Sequence, residues 1–358
     1  MMTPILIMNL ILLVIAILLV IAEKLLVTYG ECKIIINKEK ILTVQGGYSL
    51  LNYFAENKIF IPSACGGKAT CGYCKVEVLS GAGHILPTEE VFIGPQERSK
   101  GVRLACQVKV KNDIEVLISP DLLHAREYKV TVLDIKDLTH DIKQVILKLD
   151  RPTSIKFKAG QYVQFKIPET DEFRAYSIAS VPSQNDRLEL LVRFVPSGLC
   201  STYIHEVLDI NDKIVVTGPF GDFYLREELT RDIICIGGGC GMAPIRSILL
   251  DLAEKNMPRK VMYFFGARSK KDLFFTEFLL DLQDKYPNFK YIPVLSEPKP
   301  QDNWEGETGF VTQAVEKYVL EGPGAEAYLC GPPPMINASV KVLTKKGIKE
   351  IHIYYDKF

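Results

Sequence analysis

The sequence has no net charge and few histidines, and it has no internal repeats or low-complexity tracts. Its 358 residues include 43 basic and 43 acidic side chains. A surface that binds nucleic acid usually shows an excess of Lys and Arg, so nucleic acid is not expected as a partner. The five histidines are scattered and match no motif, and we expect them to be structural. The composition and length are those of a globular chain with two or three domains.

The cysteines number nine, which leaves no even disulfide framework. Disulfides belong mostly to small secreted domains, so they are disfavoured in a chain of this length. Four cysteines instead have a spacing that suits a two-iron, two-sulfur cluster: Cys65, Cys71, Cys74 and Cys106. A zinc site built from the same thiols is the alternative, although only Cys71 and Cys74 make the C-x2-C pair that zinc ribbons repeat. These four cysteines are the predicted metal ligands.

Small residues fill the loop between the first three of these cysteines. A cluster held by four thiolates is anionic, so backbone N–H groups must turn towards its sulfur atoms, which small residues permit. The residues that meet this demand are Gly66, Gly67, Ala69 and Gly72. The spacing is C-x5-C-x2-C, one residue longer in its first gap than the plant-type ferredoxin pattern.

The one long hydrophobic run is at the N-terminus, where Ile5 to Ala22 contains only Asn9 as a polar residue. Its length is just sufficient to cross a bilayer core as a helix. No Lys or Arg precedes the run, which disfavours a cleaved signal peptide and favours a membrane anchor. Lys24 and Lys33 follow it, and this asymmetry predicts that the rest of the chain lies in the cytoplasm.

Behind this run the hydrophobic pattern changes twice. From Tyr128 to about Leu225, short alternating strands with Gly and Pro turns indicate an antiparallel β-barrel. From Asp232 the pattern becomes strand, glycine turn and helix, which is typical of a parallel sheet covered by helices.

A possible flavin motif lies in the barrel. Arg174, Tyr176 and Ser177 place a guanidinium, an aromatic ring and a hydroxyl on one predicted strand. They could bind a pyrophosphate, pack on an isoalloxazine and reach the ring atom that accepts hydride. Alone, the segment could equally be an ordinary strand with an exposed Arg. A second phosphate site is predicted at the start of the next helix, from Gly198, Ser201 and Thr202.

Two motifs indicate a dinucleotide site. Gly237 to Gly241 lies between a predicted strand and a predicted helix, where a pyrophosphate can bind. The run departs from G-x-G-x-x-G, so a tight turn without a ligand is the alternative. Cys330 to Met335 reads CGPPPM and again follows a strand. Because ligands bind at the ends of parallel strands, both motifs are expected at one site.

With these motifs, the barrel and the parallel sheet are similar to the ferredoxin-NADP reductase superfamily. The whole order of segments resembles the family of F subunits of the sodium-translocating NADH:quinone reductases. Further matching segments are IPSACGG at 61–67, GPFG at 218–221, FFGARSKKDLFF at 264–275 and DNWEGETGF at 302–310.

This resemblance implies a multidomain fold that combines the α+β and α/β classes. The expected domains are an N-terminal transmembrane helix (1–29), a β-grasp 2Fe-2S ferredoxin domain (30–122), an antiparallel FAD-binding β-barrel (126–228) and a Rossmann-like, parallel-sheet NAD-binding domain (229–358). The chain would be a single-pass protein of the cell inner (plasma) membrane.

The resemblance also implies roles for individual residues. FAD would be bound by Arg174, Tyr176, Ser177, Gly198, Ser201 and Thr202. NADH would be bound by Gly237, Gly238, Gly239, Gly241, Pro244, Gly331 and Pro332. The implied catalytic residues are Ser177, Cys330 and Phe358, the last as a terminal aromatic that covers the flavin; a frayed terminus is the alternative for Phe358.

The implied function is that of the electron-input subunit of a membrane redox pump. NADH would reduce FAD, and single electrons would pass to the 2Fe-2S cluster, to other membrane subunits and so indirectly to quinone. One alternative is a membrane-anchored reductase that feeds an oxygenase or another acceptor protein. A non-enzymatic binding protein is disfavoured by the cofactor motifs. Arg268, Ser269 and Lys270 leave NADPH open as the donor, although we favour NADH.

Overall fold

A computed structural model describes residues 7–18, 29–170, 172–320 and 322–357. They belong to two compact units, one within residues 1–123 and the other within 124–358. Residues 7–18 form helix α1 with exposed side chains, and the rest of the predicted anchor lies outside the described residues. Among the residues described, no helix combines the length and the apolar character needed to cross a membrane.

The first unit contains a five-stranded mixed sheet with the strand order β2-β1-β5-β3-β4. Its strands are β1 (Glu31–Ile36), β2 (Lys40–Gln45), β3 (Lys75–Ser80), β4 (Val102–Leu104) and β5 (Ile114–Leu117). Its helices are α2 (Leu50–Glu56), α3 (Pro87–Glu90), α4 (Pro95–Ser99) and α5 (Pro120–Leu123). β1 alternates buried and less buried residues because only one of its faces meets the core. Tyr53 and Phe54 of α2 pack in that core.

The second unit begins with a six-stranded antiparallel sheet in the order β10-β7-β6-β11-β8-β9. Its strands are β6 (Arg126–Asp137), β7 (Ile142–Arg151), β8 (Tyr162–Lys166), β9 (Phe173–Ser177), β10 (Arg187–Arg193) and β11 (Lys213–Phe220), with the short helix α6 (Leu199–Thr202) after β10. A bridge between Ile178 and Leu190 joins the two edges of this sheet. The sheet therefore closes into a barrel, whose core includes Val130, Leu147 and Phe165.

A parallel sheet completes the second unit, in the order β15-β14-β13-β12-β16-β17. Its strands are β12 (Asp232–Gly238), β13 (Val261–Ala267), β14 (Phe289–Leu295), β15 (Glu307–Thr308), β16 (Ala325–Gly331) and β17 (Ile353–Lys357). Its helices are α7 (Met242–Glu254), α8 (Thr276–Lys285), α9 (Val311–Tyr318) and α10 (Pro333–Lys345). The chain order reverses between β12 and β16, so the carboxyl ends of these strands flank a crevice suited to a ligand.

One hydrophobic core joins the barrel to the parallel sheet. Ile142 and Phe223 from the barrel side pack in the same cluster as Ile245 of α7. A buried polar contact adds to it, since the Arg246 guanidinium donates to a Glu189 carboxylate oxygen at 2.7 Å. The flavin motif and the nucleotide motifs are therefore carried by layers that share both apolar and ionic contacts.

Candidate functional site

The strand pairing brings the predicted metal ligands together. Cys74 precedes β3 and Cys106 follows β4, and these strands are antiparallel neighbours. The Ala105 N–H donates to the Cys74 carbonyl at 2.7 Å, which fixes the two segments against each other. In the loop, the Cys71 thiol donates to Cys65 Sγ at 3.3 Å. Cys74 likewise hydrogen-bonds Cys106, so the four thiols form two pairs.

Each pair contains one thiol that ionises readily. Burial opposes ionisation of Cys65, but hydrogen bonds from Thr70 and Cys71 outweigh it and lower the pKa of its thiol to about 6. The hydrogen bond from Cys74 lowers the pKa of the Cys106 thiol to about 7 and raises the pKa of Cys74 itself. The thiolate is the form that binds metal.

The backbone of the loop is turned towards the sulfur atoms, as the small residues predict. The backbone N–H of Thr70 hydrogen-bonds the Cys65 sulfur and that of Ala69 the Cys106 sulfur. Positive φ angles, which favour glycine, occur at Gly66, Gly67, Ala69 and Gly72.

Two thiol pairs fit a two-iron cluster, in which each iron takes two thiolates. Within the described ranges, no group of three or more His, Cys, Asp or Glu side chains is placed to hold a single metal ion. The donor set and its backbone hydrogen bonds thus suit the predicted 2Fe-2S group.

The flavin motif lies on β9, an edge strand of the barrel sheet. The Arg174 guanidinium is 39 % exposed and forms an ion pair with Glu172 at 2.9 Å. The Tyr176 ring packs edge-on against Phe165, with 6.3 Å between ring centroids, and burial raises the pKa of its phenol. Ser177 is half-buried at the end of the strand. The predicted guanidinium, ring and hydroxyl are therefore within one five-residue strand.

The second predicted phosphate site lies at the beginning of α6. A Cβ atom on Gly198 would lie 2.6 Å from Ser201 Oγ and 2.9 Å from the Val195 carbonyl oxygen, so no side chain fits there. Ser201 is buried, and its hydroxyl accepts the Val195 N–H at 3.1 Å. Thr202 is half-buried, and its N–H donates to the Gly198 carbonyl at 2.9 Å. Ser201 therefore shapes the turn from inside.

The two nucleotide motifs lie side by side. Gly237 near the end of β12 pairs with Cys330 near the end of the parallel strand β16. A Cβ atom on Gly238 would lie 3.0 Å from Met335 Sδ, and one on Gly241 would overlap the Cys330 carbonyl oxygen. Gly238 and Gly241 are thus required by the close approach of the CGPPPM segment.

The remaining motif residues complete the same edge of the sheet. Gly239 has a φ of +55°, which glycine adopts readily. Pro244 lies in the first turn of α7, where a missing N–H costs no helical hydrogen bond. Gly331 also has a positive φ, and Pro332 precedes α10.

A cleft of about 650 Å³ opens at these strand ends. Gly238, Gly239 and Pro332 line it from the parallel sheet, and Arg193 and Asp141 line it from the barrel. The last two form an ion pair at 2.8 Å. The cleft has the size and the glycine-lined strand ends that a dinucleotide needs.

Two of the three groups that could take a 2′-phosphate are engaged with other residues. The Ser269 hydroxyl donates to an Asp272 carboxylate oxygen at 2.8 Å. The Lys270 ammonium donates to the Asp302 carbonyl at 3.1 Å. Of Arg268, Ser269 and Lys270, only Arg268 lines the cleft, and the Asp272 side chain lines it too.

Sequence reasoning missed Asp356. This residue pairs with Cys330 across β16 and β17, and burial raises the pKa of its carboxyl group. It lines a second cleft, of about 600 Å³, with Tyr162 and Gly221 of the barrel. Cys330 is fully buried, and burial raises the pKa of its thiol. The predicted catalytic Phe358 lies outside the described residues.

Comparison with known proteins identifies three domain families along the chain. Three family models match: "2Fe-2S iron-sulfur cluster binding domain" at 34–111, "Oxidoreductase FAD-binding domain" at 129–224 and "Oxidoreductase NAD-binding domain" at 235–341. The F subunit of the Na(+)-translocating NADH-quinone reductase from Neisseria meningitidis is 36% identical over 395 residues, which cover 98% of this chain and 97% of the relative. The chain belongs to this F-subunit family.

Solved structures of other reductases have folds similar to that of this F-subunit family member. The cytochrome P450 reductase GcoB of Amycolatopsis has a TM-score of 0.76 and 32% identity, covering 91% of this chain and 98% of that chain. The ferredoxin reductase of carbazole 1,9a-dioxygenase has a TM-score of 0.69 and 27% identity, covering 92% and 98%. The fold is therefore shared between reductases with different redox partners.

The three matched domains confirm the predicted cofactors of this F-subunit family member, which are a 2Fe-2S cluster, FAD and NADH. They also confirm the predicted fold class for the ferredoxin-type, barrel and nucleotide-binding parts of the chain.

Proposed function

We propose that the chain is the electron-input subunit of a membrane NADH:quinone reductase of the Na+-translocating type. It oxidises NADH at the barrel and parallel-sheet layers and delivers single electrons through the ferredoxin-type domain to partner subunits. The full-length match to the F subunit of Neisseria meningitidis carries this proposal, because it covers nearly all of both chains.

Four thiolates hold the cluster in this proposal. Cys65 and Cys71 bind one iron, and Cys74 and Cys106 bind the other, in agreement with the two hydrogen-bonded thiol pairs. The backbone N–H groups of Ala69 and Thr70 stabilise the anionic sulfur atoms.

The flavin is assigned to the barrel. Arg174 would bind its pyrophosphate, Tyr176 would pack on its ring and Ser177 would serve the ring atom that accepts hydride. Gly198, Ser201 and Thr202 form the turn that faces the phosphates. When bound, the flavin supplies the conversion between a two-electron hydride donor and a one-electron cluster.

NADH is assigned to the crevice between β12 and β16. Its contacts are Gly237, Gly238, Gly239, Gly241, Pro244, Gly331 and Pro332. Cys330 supports the nicotinamide side of the site from a dry, buried position. The proposal also gives Phe358, which lies outside the described residues, the role of the terminal aromatic of the flavin site.

The N-terminal segment is assigned to the membrane. Ile5 to Ala22 would anchor the chain once in the inner membrane, and the domains at 30–122, 126–228 and 229–358 would lie in the cytoplasm. One helix cannot form an ion pathway, so sodium movement belongs to the partner subunits.

Purification in detergent tests this function directly. The chain, expressed from its native operon, is expected to co-purify with several integral membrane subunits and to reduce quinone with NADH. A variant that lacks residues 1–28 is the matched control, and it should leave the membrane fraction while retaining NADH oxidation with an artificial acceptor. Recovery of the full chain alone, with no quinone reduction, would refute the assignment to a complex.

A membrane-anchored reductase for an oxygenase is the second candidate. The structural likeness to a P450 reductase and to a dioxygenase reductase favours it. NADH-dependent transfer to a soluble oxygenase component, by a chain without integral partners, would establish it instead.

A further inference from the structure

Gln107, next to the proposed iron ligand Cys106, directs its side-chain amide at that ligand's sulfur. Its Nε2 atom lies 3.7 Å from Cys106 Sγ and 3.4 Å from the Cys106 carbonyl oxygen. A carbonyl oxygen only accepts hydrogen bonds, so the nitrogen end of the amide must face this side. The sulfur of Cys106 therefore receives an N–H group from a half-buried side chain.

Thr88 holds the other end of this amide. Its hydroxyl donates to Gln107 Oε1 at 2.9 Å. With both ends of the amide engaged, the rotamer that presents Nε2 to the sulfur is fixed. Thr88 lies in α3, which precedes Cys106 in the chain by more than a dozen residues. The residue after Thr88 fixes α3 beside Cys106.

That next residue is Glu89, whose carboxylate is fully buried and paired with Arg103. The Arg103 guanidinium donates to Glu89 Oε1 at 2.9 Å and to Oε2 at 2.6 Å. Its other N–H groups donate to the carbonyls of Ala82, Gly83 and His84. All five guanidinium donors are used, so α3 has little freedom to move relative to β4.

An N–H group near a ligating sulfur matters most after the cluster has accepted an electron. The reduced cluster carries one more negative charge, so a hydrogen bond to its sulfur stabilises the reduced form more than the oxidised form. Outer hydrogen bonds of this kind tune the properties of a metal site.

We propose that Gln107, oriented by Thr88, raises the reduction potential of the 2Fe-2S cluster by donating a hydrogen bond to Cys106 Sγ. Gln107 is a positioning and tuning residue that does not touch substrate. This inference rests on the proposed assignment of Cys106 as an iron ligand.

Gln107→Met in the full chain removes the donor and keeps a side chain of similar length. We expect the equilibrium constant for reduction of the cluster to fall severalfold. A redox titration followed by EPR would show this as a more negative midpoint potential. Gln96→Met, at an exposed position of the same domain, is the matched control and should keep the wild-type midpoint. An intact cluster with an unchanged midpoint in Gln107→Met would overturn the inference.

Thr88 provides a second test that does not alter the neighbour of a ligand. Thr88→Val should shift the midpoint in the same direction, and Thr88→Ser, which keeps the hydroxyl, should restore it. Equal midpoints in Thr88→Val and Thr88→Ser would overturn the role of Thr88. If Gln107→Met assembles no cluster, the comparison of these two variants decides whether the hydrogen bond tunes the potential. Pulsed EPR with 15N-labelled glutamine should detect hyperfine coupling to the Gln107 amide.

The ligand assignment is tested separately by iron and sulfide content. Cys106→Ala should lose the cluster. A full cluster in that variant would refute Cys106 as a ligand, whereas an unchanged midpoint in Gln107→Met refutes only the tuning role.

Discussion

Gly241 lies directly against the carbonyl group of Cys330, and a Cβ atom on residue 241 would overlap that oxygen. The φ angle of Gly241 is −61°, a value open to any residue, so space and not backbone conformation demands glycine there. The contact joins the glycine run of β12 to the thiol-bearing end of β16, the two strands that flank the proposed NADH crevice.

Gly241→Ala should force the two strand ends apart. We expect a loss of about 1–3 kcal/mol in stability from overpacking and a higher KM for NADH. Steady-state kinetics with ferricyanide and thermal unfolding would measure both. Gly324→Ala is the control, because no atom lies within 4 Å of a Cβ built there. Unaltered KM and stability in Gly241→Ala would contradict the proposed contact.

Glu89→Gln should strongly destabilise the ferredoxin-type unit. The change leaves the buried Arg103 cation without its carboxylate, at a cost of about 3–5 kcal/mol. Denaturant unfolding of the full chain, followed by cluster absorbance, measures it. Glu90→Gln removes an exposed ion pair with Arg98 and should change stability by less than about 0.5 kcal/mol. Equal effects of the two substitutions would show that the buried pair contributes little.

The same carboxylate predicts a pH dependence. Burial opposes its ionisation, but Arg103 and the N–H groups of Leu86 and Leu104 outweigh burial and lower the pKa of Glu89. The stabilisation is fully present above the unfolded-state pKa of about 4.3 and is lost as pH falls through the lower folded-state pKa. The stability difference between wild type and Glu89→Gln should therefore shrink in acid.

Asp356→Asn should stabilise the folded chain at neutral pH. Burial raises the pKa of this carboxyl, so the folded state holds the proton more tightly than the unfolded state. The contribution of Asp356 to native stability then declines as pH rises from the unfolded-state pKa of about 3.9 through the higher folded-state pKa. Thermal scans across this range should show the stability difference between Asp356→Asn and wild type growing as pH rises. The exposed Asp186→Asn serves as the control, and an identical pH profile in Asp356→Asn would contradict the burial effect.

Arg174→Ala should empty the FAD site. The guanidinium is the one charged group of the flavin motif, and in the proposed function it forms paired hydrogen bonds to the pyrophosphate, which the substitution would remove. FAD content per chain, measured by absorbance after purification, should fall severalfold. Arg187→Ala is the matched control, since Arg187 also pairs with an acidic neighbour on a barrel strand. Full FAD occupancy in Arg174→Ala would refute the assignment.

Cys71→Ala should separate the two halves of the electron path. Reduction of FAD by NADH should continue, because the flavin and nucleotide motifs lie in the other unit, while transfer to a one-electron protein acceptor should stop. Stopped-flow absorbance of the flavin and EPR of the cluster would show this. Cys32→Ala, a buried cysteine of the same unit, should retain its iron. Loss of flavin reduction in Cys71→Ala would contradict the modular interpretation.

Local patterns predict much of the fold, because they record which face of a strand is buried. The alternating strands predicted between Tyr128 and Leu225 correspond to the strands of the barrel, among them β10 at Arg187–Arg193. The strand predicted before the glycine run corresponds to β12, at Asp232–Gly238. By contrast, β14 contains Pro293, a residue that local patterns do not favour in a central strand. Pairing with β15 begins only at Val294, so the sheet is open beside the proline.

Candidate site residues can be predicted where a short motif carries them, and not where the fold brings distant segments together. The four cysteines and the glycine run are carried by short motifs. Asp356 reaches Cys330 only through the pairing of β17 with β16, which no local pattern records. Ser201 was predicted from its hydroxyl, but the direction of that hydroxyl depends on the turn that contacts Val195.

The hydrophobic core that contains Ile142, Phe223 and Ile245 sets where this chain can be divided in chimeras. A graft that exchanges only the segment from 229 onward would cut through that core and leave Glu189 without Arg246. A graft at residues 123 and 124 divides two units that each have a core of their own. A chimera with a different electron acceptor should therefore exchange the whole ferredoxin-type unit. The flavin and nucleotide layers should be kept together.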